Sequence, residues 1–430
     1  MKGKKLLPIF LSVLLIFSSC TSITSKVEEL ASAPILRPDQ KEIVSSLKKI
    51  AGESITLKYP AKGDNTSPFL SADLDLDGED EVIAFYQGSS EGKIQVAMLD
   101  KTDGKWNCVY SVSGEGNSIL KTDFIKFTGV GEKDIVVGFT DSSGKGRLII
   151  YRAETGEVIG NVPFMDYDII SYGAGINDRL VVVDLVESSA TKTLRQKVSY
   201  YQYLSGKAQE FVSYEEDTVK KTYQQIECIV RPDFSALVYL DVIIGNEVAT
   251  EVLKIEGSLI QPILERGYTR AIRIYCRDIN EDGIPEIPRE IPYKVSEGAE
   301  ENAVSGIVLP IRWSTINGGS IEELYDSIIN TSFGYYIDIP KEWRDKILFV
   351  QNSTGNLLTA YIYTGNLNTL GTELYSVKAV YRYEESPEGY TKIGESQSVY
   401  YYAKINSSAA DIDNTLEITY DALSSSLKLL

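Results

Sequence analysis

Glu81-Val82-Ile83-Ala84-Phe85-Tyr86 is an apolar run opened by an acid, and the chain repeats it. Comparable runs begin at Asp134 (Asp134-Ile-Val-Val-Gly-Phe139), Arg179 (Arg179-Leu-Val-Val-Val-Asp184), Ala236 (Ala236-Leu-Val-Tyr-Leu-Asp241) and Glu286 (Glu286-Ile-Pro-Arg-Glu-Ile291), at intervals of about fifty residues. Second strand-like runs follow at Lys93–Asp100, Gly146–Ala153, Arg195–Leu204, Glu247–Glu256 and Gly306–Trp313. Hairpin signals then introduce third strands: Asp103-Gly104, Thr155-Gly156, Ser205-Gly206, Glu256-Gly257 and Asn317-Gly318-Gly319. Ile119–Phe127, Asp168–Tyr172, Thr222–Val230 and Thr269–Cys276 serve as fourth strands. A repeat of this length built from four short strands predicts the blades of a β-propeller. The fifth set shows no fourth strand, whereas Pro68-Phe69-Leu70-Ser71-Ala72 stands unclaimed before the first. Assigning it to the last blade removes an open edge. The predicted fold is therefore mainly β: a five-bladed β-propeller closed by an N-terminal strand, followed by a small α+β domain.

Composition narrows the function. The chain has 430 residues, a formal net charge of −18 and no histidine. A nucleic-acid partner is not expected, because binding a polyanion relies on a basic footprint. Without histidine there is no Ser-His-Asp or Cys-His catalysis, no His-ligated metal and no imidazole pH switch. Twenty-eight Tyr against three Trp and three Met fit extensive sheet with half-exposed aromatic faces.

The N-terminus carries Lys2, Lys4 and Lys5, then the apolar run Leu6 to Phe17, then Ser18-Ser19-Cys20. That run is too short to span a bilayer as a mature helix, so residues 1–19 read as an export signal. Phe17-Ser18-Ser19-Cys20 resembles a bacterial lipobox, with Phe17 where the family usually has Leu. The resemblance implies that Cys20 is diacylated and becomes the mature N-terminus, with a palmitate-type anchor on the outer face of the cytoplasmic membrane. Residues 20–38 read as a tether, and 39–51 as a helix with Asp39 as N-cap. The propeller and its helix occupy 39–327. The remaining cysteines, Cys108, Cys228 and Cys276, are odd in number and lack metal-like spacing, so free thiols are expected.

Two loops carry candidate chemistry. Asp73-Leu-Asp75-Leu-Asp77-Gly78-Glu79-Asp80-Glu81 precedes the first set, and Asp278-Ile-Asn280-Glu-Asp282-Gly283-Ile284-Pro-Glu286 precedes the fifth. Each places oxygen side chains at positions 1, 3, 5 and 9 with glycine at 6. Alternate carboxylates of this kind converge on one Ca²⁺, and the carbonyl at position 7 (Glu79, Ile284) adds an oxygen. The spacing predicts two structural Ca²⁺ sites. With Asp73-x-Asp75-x-Asp77-Gly78-x-x-Glu81-Val82-Ile83 on the page, the chain resembles the FG-GAP/VCBS repeats of integrin-α-like propellers, in a lipoprotein of Gram-positive, clostridia-type bacteria. That resemblance implies bound Ca²⁺ at both loops. In the second set Lys126, Thr128 and Val130 replace the acids while Gly131 and Asp134 remain, and the middle three blades are expected to be metal-free.

Residues 328–430 form the expected α+β domain. Gly334-Tyr335-Tyr336 to Ile339-Pro340 and Trp343 read as a strand, a stop and a core anchor. Tyr400-Tyr401-Tyr402 should alternate faces, and Ile412–Leu427 reads as a closing helix. The function read from all this is a lipid-anchored, extracytoplasmic, non-enzymatic binding or scaffold protein, facing an extracellular protein or cell-wall glycan. The alternatives are a glycan-active enzyme using a carboxylate pair, and an accessory factor of a membrane complex.

Overall fold

The computed structural model describes residues 36–75, 77–88, 92–129, 133–173, 175–188, 190–217, 221–264, 268–296, 303–317, 320–406 and 414–430. The signal segment, Cys20 and most of the tether lie outside the described residues. Among the described residues no helix is long and apolar enough to cross a membrane. The chain folds as two compact units whose boundary falls between Ile119 and Leu120.

The first unit opens on helix α1 (Pro38–Ala51). Arg37, not Asp39, is its N-cap: the Arg37 amide donates to Gln40 Oε1 at 3.0 Å, and Pro38 takes the first helical position, where a missing N–H costs nothing. Ile43 and Leu47 bury against Val82, Ala84, Tyr86, Ala97 and Leu99 of a sheet made of Phe69–Ala72, Glu81–Gly88, Gln95–Thr102 and Lys105–Ser113. The short strand Ile55–Leu57 also pairs with Glu81–Gly88.

Phe69–Ala72 corrects the closure expected from sequence. It pairs antiparallel with Glu81–Gly88, Phe69 opposite Ala84 and Ala72 opposite Glu81, within the first sheet. The acidic loop simply turns one strand back on the next. The same shift runs along the chain: the strands in Ile119–Phe127, Asp168–Tyr172 and Thr222–Val230 each pair with the apolar run that follows, whereas in Thr269–Cys276 only Thr269–Arg270 is a strand and it pairs back on Glu247–Glu256.

The second unit thus contains consecutive meanders. The second sheet is Ser118–Ile125, Asp134–Thr140, Gly146–Arg152 and Val158–Pro163; the third is Asp166–Ile170, Arg179–Glu187, Leu194–Leu204 and Lys207–Asp217. The fourth is Lys221–Val230, Ala236–Ile244, Glu247–Glu256 and Leu259–Leu264. The fifth is Ile287–Glu290, Ile311–Asn317, Ser320–Asn330 and Tyr335–Ile339, with Leu427–Leu429 along its far edge. The last set lacks no strand: Ser320–Asn330 runs straight through position 327 and pairs with Tyr335–Ile339.

Strand period explains how these sheets stack. Leu180 and Val182 face Val136, Leu148 and Ile150 of the second sheet, while Val181 and Val183 face Val238 and Leu240 of the fourth. Leu237 and Tyr239, on the opposite face of the fourth sheet, pack on Ile287 and Ile316 of the fifth. Sheets covered on both faces need apolar residues at consecutive positions, which is why Val-Val-Val and Ile-Val-Val runs mark their second strands.

The sixth sheet combines Ile307–Val308, Ile347–Gln351, Leu357–Ile362, Glu373–Tyr381, Val399–Ile405 and Thr391–Glu395. Trp343 is buried here, its indole N–H donating to Thr415 O at 2.9 Å, in keeping with a core anchor. Tyr401 is buried, and Tyr400 and Tyr402 point the other way. The closing helix is shorter than expected. Helix α2 spans Tyr420–Ser426, because Thr419 takes extended backbone and caps it through Ala422 N; Ile412 lies outside the described residues.

Candidate functional site: acidic loops and a polar cleft

In the first loop Glu81 is the organising residue. It is the first residue of its strand and fully buried, and its Oε2 accepts from Leu74 N at 2.6 Å. This bond folds the loop back on the strand. Asp73 Oδ2 accepts from Gly78 N, and Asp75 Oδ1 from Asp77 N. Gly78 holds φ at +92°, a conformation a side chain would strain, so glycine is required at the turn.

Carboxylate oxygens of Asp73, Asp75 and Glu81 come within 4.8 Å of one another. Asp73 Oδ1 and Glu81 Oε1 are buried and have no hydrogen-bond partner among the described residues. Burial, then the neighbouring Asp75 charge, push the Glu81 carboxyl above the ordinary glutamate range. Converging, desolvated carboxylate oxygens without donors fit a hard divalent cation. Of the other residues expected at this site, Asp77 spends Oδ1 on Glu79 N and Glu79 is exposed; neither joins the three-carboxylate cluster.

The second loop repeats the backbone with a different interior. Glu286 is buried and its Oε2 accepts from Ile279 N at 3.0 Å; Gly283 N donates to Asp278 Oδ2 at 2.7 Å. Asn280, however, donates through Nδ2 to both Asp282 Oδ2 and Glu286 Oε1, each at 3.1 Å. An amide donor therefore satisfies oxygens that the first loop leaves bare. Among the described residues Asp278, Asp282 and Glu286 do not form a cluster like that of the first loop. The Glu286 carboxyl is pushed up to about 7 by burial and by the Asp282 and Asp278 charges. Ile284 is exposed. In the second sheet Asp134 keeps the loop-closing bond, accepting from Thr128 N at 2.8 Å, although the ligand-type acids are gone. Closing the loop and gathering carboxylates are thus separable duties of one backbone motif.

Sequence patterns had not singled out the polar network on the first strands of the second unit. Lys121 donates to Tyr167 O, and Asp168 Oδ2 accepts from Cys228 N at 2.6 Å. Gln225 Nε2 donates to Cys276 O, and Cys276 N to Asp241 Oδ2, both at 2.6 Å. Asp241 also receives Arg270 Nη2 at 2.8 Å and Thr250 Oγ1 at 2.6 Å, with Arg270 and Asp241 both fully buried. Cys108, Cys228 and Cys276 are all free, as expected; Cys228 sits on Lys221–Val230, the first strand of its sheet, and Cys276 on the connecting segment that follows Thr269–Arg270.

A cleft of about 540 Å³ opens at this network, between Lys221–Val230 and the extended segment 273–278. Gln225, Glu227, Arg273, Tyr275, Arg277 and Asp278 line it. The alternation Arg273-Ile274-Tyr275-Cys276-Arg277, polar out and apolar in, was the available signal. Glu227 makes no hydrogen bond to a described residue, and its carboxyl is pushed up to about 7 by burial and then by Asp168, against the pull of Lys121.

No protein-family model matches the chain, and no curated protein matches it. Solved structures do align weakly. A mutant Aleuria aurantia lectin in complex with α-methyl-L-fucoside aligns with 74% of this chain and 97% of its own, at 14% identity and a TM-score of 0.30. A protein from Lactobacillus plantarum covers 74% and 95%, at 11% identity and 0.30. The rhamnogalacturonan lyase YesW covers 75% and 74%, at 12% identity and 0.27. Overlap at this level fixes neither a fold nor a ligand. The FG-GAP-type resemblance rests on the loop residues alone.

Proposed function

We propose that this chain is an exported, lipid-anchored binding module of the FG-GAP/VCBS-like propeller type, non-enzymatic, with Ca²⁺ stabilising its acidic loops. The observation that carries the reading is the convergence of Asp73, Asp75 and the buried Glu81, two of whose oxygens have no donor among the described residues. An ion there ties the strand Phe69–Ala72 to Glu81–Gly88. The second loop is the weaker site, since Asn280 lowers its charge and already bridges its acids. Face-to-face meanders of four strands are the packing a propeller uses.

Binding is favoured over hydrolysis by one feature of the cleft. A glycosidase sets two carboxyl groups across one pocket. Glu227 and Asp278 both line the cleft, but both Asp278 oxygens accept from amides of their own loop, Asp282 N and Gly283 N, and Asp168, the acid acting most strongly on Glu227, is held by the amides of Ile169 and Cys228.

Calorimetry on the mature protein tests the ion. Ca²⁺ should bind with a tighter site that Asp75→Asn abolishes. At a free Ca²⁺ of one hundred times Kd, the ion stabilises by ~2.7 kcal/mol. A chelator should then lower the melting temperature of the parent by more than that of the variant, which keeps only the weaker site. Absence of binding heat together with a chelator-insensitive melt overturns the reading.

A further inference from the structure

The cleft beside the fourth sheet is built for a ligand that neither acidic loop would take. Arg273, Tyr275 and Arg277 lie on one face of an extended segment, because Ile274 and Cys276 are buried on the other. The two arginines are separated by three residues, with Tyr275 midway between them. Both guanidiniums are exposed, and neither is ion-paired with a described residue, in a chain of net charge −18. Unpaired arginines held at a cleft rim in an acidic protein are available to an incoming anion, and the planar guanidinium favours carboxylates bidentately.

The floor asks for hydroxyl groups. Gln225 is fixed by its bond to Cys276 O, which leaves its amide oxygen facing the cleft as an acceptor; Glu227 offers carboxyl oxygens with no hydrogen bond to a described residue. Tyr275 is half-buried, with its hydroxyl donating to Gln224 Oε1 at 3.2 Å, so its ring is set before any ligand arrives. An aromatic plate, acceptors below and two cations spaced along a line match repeated rings that carry both hydroxyls and negative charge.

We infer that the cleft lined by Gln225, Glu227, Arg273, Tyr275 and Arg277 binds an acidic oligosaccharide, Arg273 and Arg277 holding carboxylates of sugar-acid units and Gln225 and Glu227 their hydroxyls. This deepens the binding-module reading by naming its ligand class. It rests on that reading; the first acidic loop takes no part in the cleft, and Asp278 of the second, whose two oxygens are held by Asp282 N and Gly283 N, borders it.

Titration calorimetry of the full mature chain with a galacturonate tetramer tests it, alongside an uncharged glucose tetramer and poly(glycerol phosphate). The uronate tetramer should bind, weaken with added salt, and lose roughly tenfold or more in affinity in Arg273→Ala and in Arg277→Ala. Arg195→Ala, at a half-buried arginine of the third sheet that pairs with Glu215, is the control and should bind as the parent does. Both cleft arginines are exposed, so the variants should melt like the parent. Uronate binding that survives both substitutions places the site elsewhere and overturns the inference. Equal affinity for the uncharged tetramer overturns it too, while leaving a glycan-binding module standing. Binding of poly(glycerol phosphate) in preference to uronate overturns the sugar-acid assignment. Binding of none of the three overturns the inference, and the separate Ca²⁺ titration then reports whether the loop reading stands.

Discussion

Replacing Glu227 by Gln should make the protein more stable at alkaline pH. Burial at the cleft floor raises the Glu227 carboxyl from 4.5 to about 7, and the negative charges of Asp168, Asp241 and Asp166 add to the effect while Lys121 opposes it. A carboxyl that holds its proton more tightly when folded makes the native state bind more protons than the unfolded chain. Stability from this group is therefore present below about pH 4.5 and is lost as pH rises to about 7, above which the loss is constant. At ~1.4 kcal/mol per pH unit the full loss approaches ~3 kcal/mol. Solvent at the cleft mouth screens the charge and trims it to ~1–2 kcal/mol. Gln keeps the shape and never ionises. Differential scanning calorimetry of parent and Glu227→Gln across pH 4.5 to 8 should give coincident melts at the acid end. At pH 8 the variant should melt about 2–5 °C higher. A difference that does not change with pH, or a parent that is the more stable protein at pH 8, refutes the argument that burial governs this carboxyl.

Two structural predictions accompany it. Arg270→Ala leaves Asp241 buried without its guanidinium, and Arg270 also serves Thr250 Oγ1, Ile274 O and Pro288 O; denaturant unfolding should show a loss of ~3–5 kcal/mol, with Arg270→Lys recovering only part. A Cβ at Gly146 would lie 2.1 Å from the backbone oxygen of Phe164, which has no room to yield, so Gly146→Ala should cost ~1–3 kcal/mol, measured as a lower denaturation midpoint at unchanged slope. A neutral Gly146→Ala would mean that the strand Gly146–Arg152 and the Phe164 turn are not in the contact described.

The strands were legible because a sheet buried on both faces writes itself as consecutive apolar residues. Ile135 to Val137 and Leu180 to Val183 have no other use for so many β-branched side chains in a row. Hairpins were legible where the turn demands positive φ: Asp103-Gly104 and Ser205-Gly206 adopt it at both residues. The loops were legible for the same reason, with Gly78 and Gly283 both at positive φ. What misled was grouping. Hydrophobic runs mark strands but carry no label for their partner, so Phe69–Ala72 was assigned to the far end of the chain when its neighbour was the next strand.

Local spacing determined which segments are strands, where the chain must turn, and that two loops share one acid-rich pattern around a positive-φ glycine. Only the folded arrangement decided the rest: that Asp73, Asp75 and Glu81 meet with bare oxygens whereas Asn280 fills the matching space; that Arg270 neutralises Asp241; and that Glu227 faces Arg273, Tyr275 and Arg277 across a cleft. Each depends on residues dozens of positions apart being brought within a hydrogen bond. Pairing and burial set those distances, and burial sets how strongly each charge is felt.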